Sequence, residues 1–115
     1  MHESSTMISS DKVNGTAVYS RTGEHIGTID HLTIDKATGK VAYAVMGFGG
    51  FLGMGEDHHP IPWAKLSYDT SRGGYVTDIT SEQLEGAPER GDDWHRDRDW
   101  EARTHDYYGV PNYWV

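Results

Sequence analysis

The stretch TAVYSRTGEHIGTIDHLTIDKATGKVAYAVMGF, residues 16–48, contains three short β-type runs separated by two turn sequences. Gly23 and Gly39 stand in the two turns, where the backbone needs a conformation that glycine adopts most readily. This pattern predicts two consecutive β-hairpins. Their strands are expected at Thr16–Ser20, Ile26–Asp35 and Val41–Phe48.

The second and third predicted strands have unusual apolar patterns. In the second strand the spacing slips between Ile26 and Ile29, beside Gly27, which predicts either a β-bulge or a sharply coiled strand. The third strand is apolar on both faces, so we expect it to be covered on two sides or to meet a partner. Those faces consist of Val41, Tyr43 and Val45 on one side, and Ala42, Ala44, Met46 and Phe48 on the other.

Three further short runs follow. His59–Trp63 contains two prolines, which is typical of an edge or kinked strand, and Leu66–Thr70 and Tyr75–Ile79 form a predicted hairpin. Thr80-Ser-Glu-Gln83 is a capping-box sequence that predicts one short helical turn. Six short strands predict a mainly β protein, a small and strongly bent antiparallel β-barrel. Its expected interior residues are Val18, Ile26, Leu32, Ile34, Val41, Tyr43, Val45, Ile61, Leu66 and Val76.

The composition indicates a soluble, acidic, glycine-rich domain. The chain has 115 residues with 14 glycines and no cysteine, which excludes disulfides and thiolate chemistry. Eighteen acidic residues against ten lysines and arginines give a net charge of −8, which repels phosphate backbones and anionic lipids. We therefore predict neither a nucleic-acid partner nor insertion into a membrane.

The two ends of the chain differ from its middle. Residues 1–10 are polar and aperiodic, typical of a disordered leader, and lack the features of a signal peptide, so a cytoplasmic location is predicted.

Residues 89–115 hold three of the four tryptophans and predict a helix from about Asp92 to His105, capped by Asp92 or Asp93. On one continuous helix, Trp94 and Trp100 would lie about 120° apart. Aromatic side chains in this number are expected to be buried, so we predict that residues 89–115 dock on the barrel or on a partner subunit. The predicted docking residues are Trp94, Trp100, Tyr108 and Trp114.

The glycine-rich loop Gly47–Gly55 lacks the pattern of a nucleotide-binding loop. A dinucleotide fingerprint that starts at Gly47 requires glycine at position 52, which is leucine, and no Gly-Lys-Ser/Thr sequence follows. We expect the loop to present apolar side chains to the barrel mouth or to a second subunit. The candidate interaction residues are Phe48, Phe51, Leu52 and Met54.

The segment Glu56-Asp-His-His59 contains residue types that bind divalent metals. Adjacent strand residues point to opposite faces, so His58 and His59 would not readily share one ion. We therefore predict no metal and no other cofactor. A catalytic pair of carboxylates requires a cleft that separates their pKa values, and nothing in the sequence indicates such a cleft. No Gly-x-Ser-x-Gly sequence occurs either, so no catalytic residue is predicted.

The ordered combination of these motifs resembles the PRC-barrel family. It consists of VNGTAVY at residues 13–19, GEHIGTIDHLTID at 23–35, GGFLGMG at 49–55, PIPWAKL at 60–66 and LEGAP at 84–88. The resemblance covers about residues 11–88, which implies a PRC-barrel domain there and a C-terminal extension over residues 89–115. The family fold is that of the cytoplasmic domain of the photosynthetic reaction-centre H subunit and of the C-terminal domain of the ribosome maturation factor RimM. The aromatic extension is similar to that of stand-alone bacterial members.

The resemblance implies a non-enzymatic interaction or assembly module, because the family motif supplies no catalytic residue. We predict a protein that pairs with itself as a homodimer or binds another, unidentified protein. Two alternatives stay open. One is a small-ligand or metal-binding protein that uses Glu56–His59, and the other is an accessory of a photosynthetic or other membrane electron-transfer complex.

Overall fold

The computed structural model describes residues 7–48 and 58–114, which form a six-stranded sheet with short helices. Of the predicted leader, residues 1–6 lie outside the described residues, and Ser10 already belongs to a helix. Within the described residues, no helix is both long and apolar enough to cross a bilayer. The elements are α1 Ser10–Val13, β1 Ala17–Ser20, β2 His25–Ile34, β3 Val41–Gly47, β4 His58–Pro62, β5 Ser67–Asp69, β6 Gly74–Thr77, α2 Ser81–Glu85 and α3 Arg98–Tyr108, with single 3₁₀ turns at Trp63–Lys65 and Trp94–Arg96.

The sheet is mixed and open, with the strand order β4-β3-β2-β1-β6-β5. The mainly β class is confirmed, but the expectation of a wholly antiparallel barrel is wrong, because β1 and β6 pair in parallel. Along the chain, β1 and β6 are separated by the four other strands and are not the two arms of a hairpin. No tight turn therefore imposes an antiparallel pairing on them.

The outer strands explain why the sheet stays open. Pro60 and Pro62 of β4 have no backbone N–H to donate to a further strand, and β5 has only three residues. Neither edge offers a long row of free donors and acceptors for pairing.

The sheet bends at irregular points of β2. Ile26 is left unpaired between Gly27 and His25, opposite the shift from Val18 to Tyr19, so the predicted bulge beside Gly27 is confirmed. A second register shift skips Asp30, between β2 and β3. Each bulge increases the local twist and turns the strand around the core. For this reason Ile26 and Ile29, three positions apart, are both buried.

The main core lies inside the curved sheet. It is closed by α2 and by the C-terminal end of α3, which contribute Leu84 and Tyr108. From β3 it takes the side chains of Ala44 and Met46, and the residue directly after the strand, Phe48, adds its ring. Tyr43, on the opposite face of β3, belongs with Ala42 and Trp100 to a second buried cluster. The strand is therefore covered on both faces, as the sequence predicts.

Of the expected interior residues, Val18, Ile26, Ile61 and Leu66 lie in the main core, and Tyr43 and Val45 are also buried. The expectation is wrong for Ile34, which is 55% exposed, because this residue ends β2 beyond the core. Tyr43 is buried on the outer face of β3 and not in the main core, since a strand covered on both sides carries no polar face to mark its exterior. Leu32, Val41 and Val76 are only partly buried. The main core also contains residues that were not expected in the interior, namely Val13, Ile29, Ala44, Met46, Phe48, Tyr75, Ile79, Leu84 and Tyr108.

The helix starts are set by side-chain caps. The predicted capping box is confirmed, because the Thr80 hydroxyl accepts from the Gln83 backbone N–H at 3.2 Å and the Gln83 side chain accepts from the Thr80 N–H at 3.0 Å. The expected cap at Asp92 or Asp93 is wrong. Asp97 caps α3, and its carboxylate accepts from the Trp100 N–H at 3.0 Å.

The close approach of β2 and β3 at Gly27 yields a stability prediction. A Cβ atom at this position would lie 2.5 Å from the backbone oxygen of Gly47. Because backbone cannot move aside as a flexible side chain does, Gly27→Ala is expected to lower the free energy of unfolding by about 1–3 kcal/mol. Urea denaturation followed by far-UV circular dichroism measures this loss.

Gly47→Ala is the matched control on the neighbouring strand. Among the described residues, a Cβ atom there meets only the His58 imidazole, at 3.5 Å, which is an ordinary contact. Equal stability of the two alanine variants would contradict the close approach at Gly27.

Candidate functional site

Tyr43 is the centre of the second buried cluster, on the outer face of β3. Its ring is surrounded by four aromatic rings with centroid distances of 5.5–5.9 Å. Three of these contacts are edge-on or nearly so, which is the favourable arrangement for aromatic pairs. The four rings belong to Trp94, Trp100, His105 and Tyr113, all from the C-terminal segment.

The backbone at Asp97 brings the two tryptophans together. Asp97 has an extended conformation between the 3₁₀ turn Trp94–Arg96 and α3, so the predicted continuous helix is interrupted there. The rings of Trp94 and Trp100 consequently lie 5.4 Å apart, and not on separate faces of one helix. Trp100 also donates from Nε1 to the Pro88 carbonyl oxygen at 3.3 Å, which holds α3 to the segment before it.

Glu101 is the charged residue of the cluster and is only 4% exposed. Its Oε1 atom accepts a hydrogen bond from the Tyr43 hydroxyl at 2.8 Å and another from the Tyr113 hydroxyl. Its Oε2 atom lies 3.6 Å from Nε of Arg98. A carboxylate this deeply buried needs such partners, because burial removes the hydration of its charge.

Arg98 links the buried cluster to solvent. Its side chain is 56% exposed, and its guanidinium carbon lies 4.0 Å from the ring centroid of Trp114. This stacking and the ion pair with Glu101 both act on the same guanidinium and limit its orientation.

A surface cavity of about 650 Å³ lies between α3 and the β2–β3 hairpin, and we call it the α3 groove. The hairpin supplies one wall, Tyr43 lies in the floor, and the C-terminal segment supplies the other wall. The exposed side chain of Ile34 lines the hairpin wall. The groove therefore combines apolar, aromatic and charged groups. These groups include Ile34, Asp35, Lys36, Trp94, Arg98, Glu101 and Tyr113.

The predicted docking residues occupy different places. Trp94 and Trp100 contact Tyr43, whereas Tyr108 lies in the main core with Leu84. Trp114 is partly buried against Arg98 and against the His105 ring, 5.6 Å away.

The predicted loop residues also separate. Phe48 is fully buried in the main core, with the ring of His59 5.7 Å from its own. Phe51, Leu52 and Met54 lie outside the described residues.

The metal candidates His58 and His59 lie on neighbouring positions of β4. Nε2 of His58 is 3.9 Å from the Asp30 carboxylate, whereas His59 packs beside Phe48. The Asp30 carboxylate also accepts a hydrogen bond from Nδ1 of His31 at 2.7 Å. Within residues 7–48 and 58–114, no group of three or more His, Cys, Asp or Glu side chains is placed to hold a metal ion. Glu56 and Asp57 lie outside these ranges.

Sequence reasoning did not identify the Tyr43–Glu101 pair, Arg98 or Ile34 as parts of one site. The pair is separated by 58 positions, so no local spacing connects its members. One signal was available: Tyr43 places a hydroxyl within an apolar strand, and a buried hydroxyl requires a partner.

The buried tyrosines predict how stability responds to alkaline pH. Burial, and then the hydrogen bond to Glu101, raise the pKa of Tyr43 well above its usual value, and burial raises the pKa of Tyr108 to about 12. Unfolded tyrosines ionise near pH 10, so above that pH the unfolded state releases protons that the folded state retains. Stability is therefore expected to fall as the pH rises above about 10.

Tyr43→Phe tests this assignment. Removing the hydroxyl leaves Glu101 with one fewer donor, and we expect the free energy of unfolding at pH 7 to fall by about 1.5–3 kcal/mol. The variant should also lose less stability than wild type between pH 9 and about 11, because one late-titrating group is gone. Urea denaturation across this range measures both effects. Tyr68→Phe, at an exposed position, is the control for the pH 7 value; equal stabilities of wild type and Tyr43→Phe would contradict the assignment.

Truncation after Pro88 tests the structural role of the C-terminal segment. It removes Trp100 and Tyr108, both buried, and uncovers Tyr43. We expect aggregation or a loss of at least about 3 kcal/mol, comparable to the removal of one large buried aromatic side chain. Thermal melting and light scattering provide the measurement, and an unchanged melting temperature and oligomeric state would contradict a structural role.

Comparisons with known proteins bear on the fold and the family. No curated protein matches the chain. One similar solved structure is a candidate 16S ribosomal RNA processing protein, RimM, from Pseudomonas aeruginosa, with 17% sequence identity and a TM-score of 0.43. The similarity covers 71% of this chain and 49% of that one, so it extends over about half the length of that protein.

The family comparison covers most of the chain. The model of the PRC-barrel domain matches residues 5–84, from before α1 to within α2. The match includes all six strands and Tyr43, and it ends before Arg98 and Glu101. By this match the chain belongs to the PRC-barrel family.

Proposed function

We propose that this PRC-barrel protein is a non-enzymatic protein-interaction module, located in the cytoplasm, that assembles with a second copy of itself. In this proposal residues 11–88 form the barrel domain, and residues 89–115 are an extension docked on it. The observation that carries the proposal is the α3 groove, where Ile34 is 55% exposed beside charged and aromatic groups. An exposed, mixed apolar and polar concavity of this kind is typical of binding surfaces.

The sheet edges favour contacts through side chains over pairing of strands. Pro60 and Pro62 remove two backbone donors from β4, and β5 is too short to template a long added strand. Partners are therefore expected to meet the loops and grooves of this domain.

The apolar residues that follow β3 in the sequence are the proposed self-association surface. Both faces of β3 are already covered, by the main core and by the C-terminal segment. Phe48 fills its place in the core at the start of the loop. The remaining apolar side chains of the loop, Phe51, Leu52 and Met54, are proposed to pack against the same loop of a second copy, since two-fold pairing is the commonest closed arrangement.

Sedimentation velocity tests self-association. We expect a dimer for the wild-type protein at tens of micromolar, a concentration on the order of ordinary dimer affinities. The variant Phe51→Ser/Leu52→Ser/Met54→Ser should sediment as a monomer, because it removes the apolar surface that the dimer would bury.

Ile8→Ser is the control, since it removes an exposed apolar side chain far from the loop in sequence. It should leave the dimer intact. A wild-type monomer at these concentrations, or a triple variant that remains dimeric, would overturn the proposed self-association.

A further inference from the structure

The α3 groove contains a cation whose position is set by several contacts. The Arg98 guanidinium stacks over Trp114 at 4.0 Å, and its Nε atom lies 3.6 Å from the buried Glu101 carboxylate. These contacts use the face and the Nε side of the guanidinium. With a side chain that is more than half exposed, Arg98 retains its terminal N–H groups for a ligand.

Apolar surface lies beside this cation. Ile34 stands in the wall across from α3, and the rings of Trp94 and Tyr113 line the opposite side. Tyr113 is held by the hydrogen bond to Glu101, so the aromatic side of the groove is fixed by the same carboxylate that orients Arg98. An apolar group in the groove would thus lie within reach of a preoriented cation.

We infer that the α3 groove binds a carboxylate attached to an apolar or aromatic group, as presented by an acidic segment of a partner protein, with Arg98 as the anchor. The inference rests on the proposed interaction role and names the chemistry of one partner. A planar carboxylate matches the paired N–H groups of a guanidinium, and the short apolar part covers Ile34 and Trp94. Lys36, on the hairpin wall, adds a second positive charge and forms no ion pair with any residue in the described ranges.

The charge balance of the groove favours a monoanion over a phosphate dianion. Glu101 and Asp35 both line the groove. Hydrogen bonds from Thr38 and the Ala37 backbone help to hold the pKa of Asp35 below its usual value, and Arg98 contributes as well, so Asp35 remains negative at neutral pH. The charges of Arg98 and Lys36 are balanced by those of Glu101 and Asp35, which leaves little net positive potential for a second ligand charge. One carboxylate can still pair with the exposed terminal N–H groups of Arg98.

Titration of the full-length ¹⁵N-labelled protein with 3-phenylpropanoate at pH 7 tests the inference. We expect saturable shifts of the amide signals of residues that line the α3 groove. The uncharged analogue 3-phenylpropanamide has the same shape and should bind at least tenfold more weakly. Phenyl phosphate, which carries a second negative charge at this pH, should also bind more weakly than the carboxylate.

Two variants locate the carboxylate. Arg98→Gln should weaken binding of 3-phenylpropanoate at least tenfold, whereas Lys40→Gln, on the same hairpin but outside the groove lining, should not change it. Arg98→Lys keeps the positive charge and loses the fork of N–H groups, so an intermediate loss is expected. This variant provides the test if Arg98→Gln alters the signals of α3 as a whole.

Any one of four results overturns the inference. For the wild-type protein these are the absence of saturable shifts in the groove, equal affinity for 3-phenylpropanoate and its amide, and tighter binding of phenyl phosphate than of 3-phenylpropanoate. The fourth is an unchanged affinity of both Arg98 variants for 3-phenylpropanoate. Sedimentation of the same samples separates this failure from that of the proposed function. A dimer that binds none of the probes contradicts the carboxylate site alone, and a monomer that binds 3-phenylpropanoate through Arg98 contradicts self-association alone.

Discussion

The buried Glu101 carboxylate is the interaction on which the arrangement of the C-terminal segment depends. An anion that is nearly withdrawn from water is costly by several kcal/mol unless other groups replace its hydration. Here the hydroxyls of Tyr43 and Tyr113 donate to it and Arg98 lies beside it. These partners come from β3, from α3 and from the residues after α3, so the requirement to satisfy one charge fixes the position of the helix on the sheet. Loss of the Tyr43 hydrogen bond would leave the carboxylate buried with fewer donors. The folded state would then bear a desolvation cost that an apolar residue at position 101 would not impose.

The packing of α3 against β3 explains why this strand can be apolar on both faces. Its inner face fills the main core, and its outer face meets Trp100. Without α3, the aromatic ring of Tyr43 would be exposed on the outside of the sheet. The C-terminal segment thus covers the strand at the middle of the β2–β3–β4 part of the sheet, and it also joins the main core through Tyr108. Its packing is divided between two clusters, which makes the segment part of the folded unit.

The α3 groove is assembled from two parts of the chain with different relations to the family. The hairpin wall and Tyr43 lie within the residues matched by the PRC-barrel model, whereas Arg98 and Tyr113 lie beyond residue 84. The groove therefore needs both the family fold and the C-terminal segment. Functional specificity resides in such sites more than in the fold that carries them.

The amino-acid sequence by itself determined the six strands, the bulge beside Gly27, the capping box at Thr80 and the family, because turn residues, apolar spacing and caps act over a few neighbouring positions. It did not determine which face of β3 is internal, because both faces are apolar. Only the tertiary structure decided the parallel β1–β6 pair, the cap at Asp97 and the pairing of Tyr43 with Glu101. Several aspartates could have capped the helix, and many acids could have met a tyrosine. The choice among them depends on which groups packing brings together across 58 positions, and that information is not contained in local spacing.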